Sequence, residues 1–120
     1  MTTTAYTEHP PVPRVLQEAL RDCPELIARL QQALQRVGLR PEMSKAQRTD
    51  QFEAAIGLLE GGLGMFLSNA AQELRDAEAT GDAAQIAKAS EKEMLMGDCR
   101  GRQLRQSYAE LSDFFRRGQA

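Results

Sequence analysis

The stretch from residue 50 to residue 79 most restricts what this chain can fold into. Phe52, Ile56, Leu59, Leu63, Phe66, Ala70 and Leu74 recur at alternating steps of four and three, which traces one apolar seam along a helix. Gly57, Gly61, Gly64, Ser68 and Ala71 recur at the same steps on nearly the opposite side, and every one of them is small. Leu58 and Met65 widen the bulky seam on one flank. A helix that is apolar or small all round is normally central, covered on more than one side.

The glycines sharpen that expectation. Four of them fall between residues 57 and 64, and each costs about 1 kcal/mol relative to alanine inside a helix. Close approach by a second backbone offsets the cost, because only small residues permit that distance. The pattern predicts one continuous rod over 50–79, sandwiched between neighbours on its bulky side and on its glycine side. The competing expectation is a bend at Gly61-Gly62. A loop at 60–62, or glycines facing open water, would remove this argument for association and leave only a helical globule.

The rest of the chain reads as helix too. Ala, Leu, Gln, Glu and Arg dominate, all good helix formers, and no segment shows the Val/Ile/Thr/Tyr alternation of a strand. The chain's 120 residues suit one domain. Pro10, Pro11 and Pro13 block helix near the N-terminus, so residues 1–12 are expected to be a flexible arm and 13–120 a single helical-bundle domain. From Pro13 to Val37, Leu16, Leu20, Cys23, Ile27, Leu30, Leu34 and Val37 form one stripe. Pro24 interrupts it, giving a kink or two helices in series, with Asp22 as the expected cap. Gly38 supplies a stop. The central helix starts near Ser44 or Thr49 and ends near Thr80-Gly81, and Asp82 caps the next region. In that last region Ala83, Ile86, Ser90, Met94, Gly97, Gly101, Leu104, Tyr108, Leu111 and Phe115 share one face of an unbroken helix. A break at Gly97-Asp98 would split it. The expected fold is all-α: an antiparallel bundle of three long, or four, helices.

Charge is unevenly spread. Residues 50–93 carry nine acidic and three basic side chains, whereas 1–49 carry seven basic and five acidic, and 94–120 five basic and three acidic. The acidic middle and basic ends are expected to attract one another. Twelve of the fifteen cations are arginine, in two clusters: Arg36, Arg40, Lys45 and Arg48, then Arg100, Arg102, Arg105, Arg116 and Arg117. These offer a nucleic-acid-binding alternative through phosphate contacts, although a solvated basic face explains them equally well.

Catalytic signals are poor. One histidine, His9, and two isolated cysteines, Cys23 and Cys99, match no metal spacing, and no nucleophile has a base in a recognisable motif. No cofactor or metal is expected, and the chain reads as a non-enzyme. Glu60 is the most unusual carboxylate, set among Leu58, Leu59, Gly61 and Gly62; it reaches water if it lies at the edge of the apolar arc. The free cysteines and the absence of a basic-then-apolar leader point to a reducing cytoplasm. The apolar segment 54–67 falls short of the ~20 residues of a bilayer span. Leu95, Met96, Cys99 and Phe114 fall off the predicted inward face, so they read as an exposed contact patch. The expected function is a helical interaction module, an adaptor or regulator that pairs with itself or another protein. Its candidate contact residues are Gly57, Gly61, Gly64 and Ser68 on one face, and Leu95, Met96 and Phe114 on another.

Overall fold

The computed structural model describes residues 7–117, and every regular element among them is helical. The fold is all-α. The first stripe divides at Pro24 into α1, Arg14–Ala19, and α2, Pro24–Leu34. Proline at the first helical position needs no N–H partner and has φ preset, so the second helix starts there. Cys23, not Asp22, occupies the N-cap position, and it makes no side-chain capping bond.

The central helix α3 runs unbroken over Lys45–Thr80, 36 residues. Ser44 begins it with a reciprocal capping box: its hydroxyl accepts from the Gln47 N–H, and its own N–H donates to the Gln47 side chain. Each bond satisfies a donor that helix geometry leaves without a partner. Gly81 ends the helix in the left-handed region at φ 72°, where a Cβ would crowd the backbone. Asp82 then caps α4, Ala83–Asp98, by accepting from the N–H groups of Ala84 and Gln85. Gly81→Ala is therefore expected to lower stability by about 1 kcal/mol, measured by urea denaturation. No change would mean the turn does not hold this conformation.

No break occurs at Gly97-Asp98. The chain continues through a π-helical turn, Cys99–Gln103, into α5, Leu104–Arg116, with right-handed helical backbone at both junctions. That turn corrects the predicted inward face. The buried seam is Met96, Cys99, Leu104, Ser107, Leu111 and Phe114, with steps of three, five, three, four and three. In an α-helix a step of five carries a seam about 140° away from its line. Within a π turn, residues five apart stack, and the Leu104 N–H donates to the Cys99 carbonyl. Projecting an unbroken helix back from Leu104 and Leu111 therefore selects the wrong upstream residues. Met94 is 72% exposed and Tyr108 40% exposed, while Met96 is fully buried.

The core lies at one end of the molecule. Leu59, Leu63 and Phe66 of α3 bury against Leu16 of α1, Leu20 just after it, Leu30 and Leu34 of α2, and the α4–α5 seam. Beyond that body, α3 and α4 continue as an antiparallel hairpin, and between residues 71 and 95 only Ala77 is buried. The described chain measures 63 × 29 × 19 Å, a helical body with a two-helix arm.

The expected flexible arm is corrected where it is described. Residues 8–13 form a strap across the body. Glu8 and Leu39 exchange two backbone hydrogen bonds of 2.9 and 2.8 Å, and His9 Nδ1 lies 2.7 Å from the Val37 carbonyl, donating to it. The Gln31 amide accepts from the Val12 N–H at 2.9 Å and donates to the Pro10 carbonyl at 3.0 Å. Val12 is buried, as are Pro10 and Pro13. The prolines that bar a helix also hold this strap extended, so little entropy remains to be lost on docking. Gly38 is the point of close passage: a Cβ there would collide with Thr7. It does not end α2, which stops at Leu34. Residues 1–6 and 118–120 lie outside the described residues.

Candidate functional site

The outward face of α3 leaves apolar and small residues uncovered, Met65 among them. Helix α3 contains an 18-residue window with mean hydropathy 1.2, of which only 28% is buried. By length and composition alone such a helix is long and apolar enough to cross a membrane. The bulky seam of the helix, Leu59, Leu63 and Phe66, is consumed by the chain's own core. What remains uncovered is the small side.

That outcome corrects the sandwich expected from the sequence. The rod is continuous, but its glycine side has no intrachain neighbour at Gly57 or Gly61, where a Cβ would meet nothing within 4 Å. Close packing within the chain therefore does not explain these glycines, and the argument for association that depended on it falls. The partial exceptions are Gly62, where a Cβ would lie 3.0 Å from the Leu30 side chain, and Gly64, where it would lie 3.3 Å from Arg100 Nε. Ser68 is exposed. Glu60 is exposed as well, as expected for a carboxylate at the edge of the apolar arc.

The small face forms the floor of a trough of about 600 Å³ between α2 and α3. Gly57, Gly61 and the 61%-exposed Met65 lie along it, and Arg29 and Arg36 of α2 form its rim. Arg100 reaches over Gly64. The trough thus has a floor of small and apolar residues and a polar rim of Arg29, Gln32 and Arg36.

The second predicted contact patch is not exposed. Met96 is fully buried, Phe114 is 7% exposed, Cys99 is buried, and Leu95 is half-buried against the core. The π turn rotates Met96 and Cys99 inward. Phe114 packs edge-to-face on Phe115 with ring centroids 4.9 Å apart, and the Arg117 guanidinium stands 4.7 Å over its ring. Burial pushes the Cys99 thiol up to about 11, so it stays protonated at neutral pH and is a poor nucleophile.

The arginine clusters are largely engaged in structure. Arg48 is only 5% exposed. Its Nε donates to the Met43 carbonyl at 3.3 Å, and its Nη1 donates to the carbonyls of Phe115 at 3.2 Å and Arg117 at 2.6 Å. A cation there satisfies the orphan acceptors at the end of α5 and opposes the negative end of its dipole. Arg40 pairs with Glu42 at 2.9 Å and Arg102 with Asp98 at 3.1 Å. The Arg102 hydrogen bond holds the Asp98 carboxyl below its usual range. Arg36 sits on the trough rim, Arg100 beside Gly64 and Arg105 beside Gly101. Lys45 is exposed at the start of α3. The seven residues of the nucleic-acid alternative are thus not presented as one accessible set, because Arg48 is turned inward.

Among the described residues, the ion pairs Arg40–Glu42, Arg102–Asp98, Lys92–Glu73 and Arg117–Glu8 do not join the acidic middle to the basic ends. Arg40–Glu42 and Arg102–Asp98 are local, Lys92–Glu73 joins α4 to α3 within the acidic middle, and Arg117–Glu8 joins the two ends. Between residues 72 and 93 six carboxylates face three cations, so the hairpin keeps an acidic excess. Comparison with family models, curated proteins and solved structures finds no match to this chain.

Proposed function

We propose that this chain is a helical interaction module that works as a homodimer, with two copies laid antiparallel along the small face of α3. The observation that carries this reading is the apolar window of α3, 28% buried in a single copy. Single copies of soluble domains rarely leave a long contiguous apolar face uncovered.

Charge complementarity selects a second copy as the occupant. An antiparallel arrangement lays the acidic hairpin of each copy beside the body of the other, where Arg29, Arg36 and Arg100 stand along the trough. Both halves of the asymmetry are then compensated between chains, which the intrachain ion pairs do not achieve. A two-fold contact needs only one self-complementary patch, and the small face with its arginine rim and acidic extension is such a patch. Binding of another protein's amphipathic helix would use the same physics.

Gly61→Leu separates assembly from folding. The position is open in the single chain, and leucine is a better helix former than glycine by up to about 0.8 kcal/mol. The variant should fold at least as stably as the parent, by thermal melting of dilute protein, yet lose the dimer in size-exclusion chromatography with light scattering. A parent that stays monomeric at high micromolar concentration and low salt rules the reading out. So does a Gly61→Leu variant that dimerises normally.

A further inference from the structure

The two arginine clusters meet at one place that the sequence does not reveal. The first two turns of α3 and the last two turns of α5 flank an open cavity of about 210 Å³. Lys45 and Arg48 of the first cluster and Arg116 of the second line it, with Ser112 and the rings of Phe52 and Phe115. No carboxylate is among its lining residues, so the cavity has three formal positive charges and no internal counter-charge. Lys45 and Arg116 make no ion pair among the described residues.

Arg48 makes this more than a set of surface cations. The side chain is almost wholly buried, and Nε and Nη1 are committed to carbonyls. Nη2 has no such partner, and no side-chain nitrogen sealed from solvent lacks one among the described residues. Nη2 therefore keeps access to solvent, its position is set by the bonds of the other nitrogens, and Arg48 is among the residues that line the cavity. Orientation of that kind removes much of the entropic penalty of holding a flexible cation in place. The Ser112 hydroxyl is a further donor with no intrachain acceptor. The start of α3 adds the positive end of a helix dipole, and Arg48, bonded to the carbonyls of Phe115 and Arg117, offsets the negative end of α5.

The rings decide what the anion is attached to. Phe115, which is buried, and Phe52, which is half-buried, contribute rings to the lining, and Tyr108 braces Phe52 edge-on at a centroid distance of 6.5 Å. We propose that this cavity binds a phosphoryl group carried on a flat, apolar small molecule. The doubly charged head is held by Lys45, Arg116, Arg48 Nη2 and Ser112, and the flat body rests on the phenylalanine rings. A dianion matches the three cations better than a single negative charge does. The volume suits a head group and about one ring, being smaller than the ~300–1,000 Å³ of drug-sized sites.

Phenyl phosphate is the probe, titrated into the full chain and followed by amide chemical shifts. Shifts should saturate with a Kd of about 1 mM or tighter, concentrate at residues 45–52 and 112–116, and weaken with added salt. Inorganic phosphate should bind more weakly, and phenol not measurably. Lys45→Ala and Arg116→Ala should each weaken phenyl phosphate about five- to ten-fold while leaving thermal melting unchanged, because both side chains are unpaired. Phenyl phosphate that fails to saturate, phenol that binds as tightly, or two alanine variants that bind like the parent would each overturn the assignment. A dimer on the opposite small face of α3 does not enter this experiment, so the two proposals stand or fall separately.

Discussion

Arg48→Met should destabilise the fold by about 3 kcal/mol, one of the two largest effects expected of any single substitution here. The side chain is buried and bridges the loop before α3, the end of α5 and the residue after it, by bonds to Met43, Phe115 and Arg117. Hydrogen bonds from a charged donor are worth roughly 1.5–3 kcal/mol each, but removing the arginine also releases a buried charge from its desolvated site, and water reaches part of the exposed end of α5. Methionine fills similar volume without a donor, leaving carbonyls at the end of α5 with acceptors unmet. Midpoints in urea should fall with little change in slope, and the melting temperature should drop by roughly 10–15 °C. Arg48→Lys keeps the charge but not the fork, so it should recover only part of the loss. A Met variant within about 1 kcal/mol of the parent would mean the three bonds do not hold in solution.

Met96→Ala should cost about 2–4 kcal/mol, and Met94→Ala less than about 0.5 kcal/mol. The two methionines are one residue apart on α4 on either side of Leu95, yet Met96 is fully buried and Met94 is 72% exposed. Truncating Met96 leaves a cavity beside Cys99 and Leu104 in the core. Truncating Met94 removes a side chain already in water. The ranking tests the π turn directly. If Cys99–Gln103 were ordinary α-helix, the seam that includes Leu104 and Leu111 would run back through Met94, and the two costs would exchange. Equilibrium denaturation of both variants against the parent decides between the registers.

The elements whose evidence is local were legible in the sequence. Proline at a first helical turn, a helix start at Ser44 rather than Thr49, and Gly81 followed by Asp82 are each decided within a few residues of themselves, and the Ser44 capping box with Gln47 shows how local that chemistry is. The bulky seam of α3 was legible for the same reason, since a period repeated over seven positions admits one helical face. The all-α class follows from these together.

What failed was inference across distance. The strap of residues 8–13 looked unstructured because nothing nearby in sequence pairs with it; its partners are Gln31, Val37 and Leu39. A constant helical period places Leu95 and Met96 on an exposed patch, and the π turn alters that period by one residue; Phe114 falls on that patch because the buried face of α5 is wide enough to take both Phe114 and Phe115, which a single stripe does not convey. Arg48 looked like one cation of a surface cluster because its acceptors, at residues 115 and 117, lie at the far end of the chain. The cavity it shares with Arg116 was invisible for the same reason.

The sequence by itself determined that this chain is helical, where its central helix begins and ends, and which side of that helix supplies the core, because periodicity and caps are short-range physics. Only the tertiary structure decided that the glycine side of α3 is left open and that Arg48 closes the end of α5. Those outcomes depend on which segments the fold brings face to face, and spacing along a chain does not encode that.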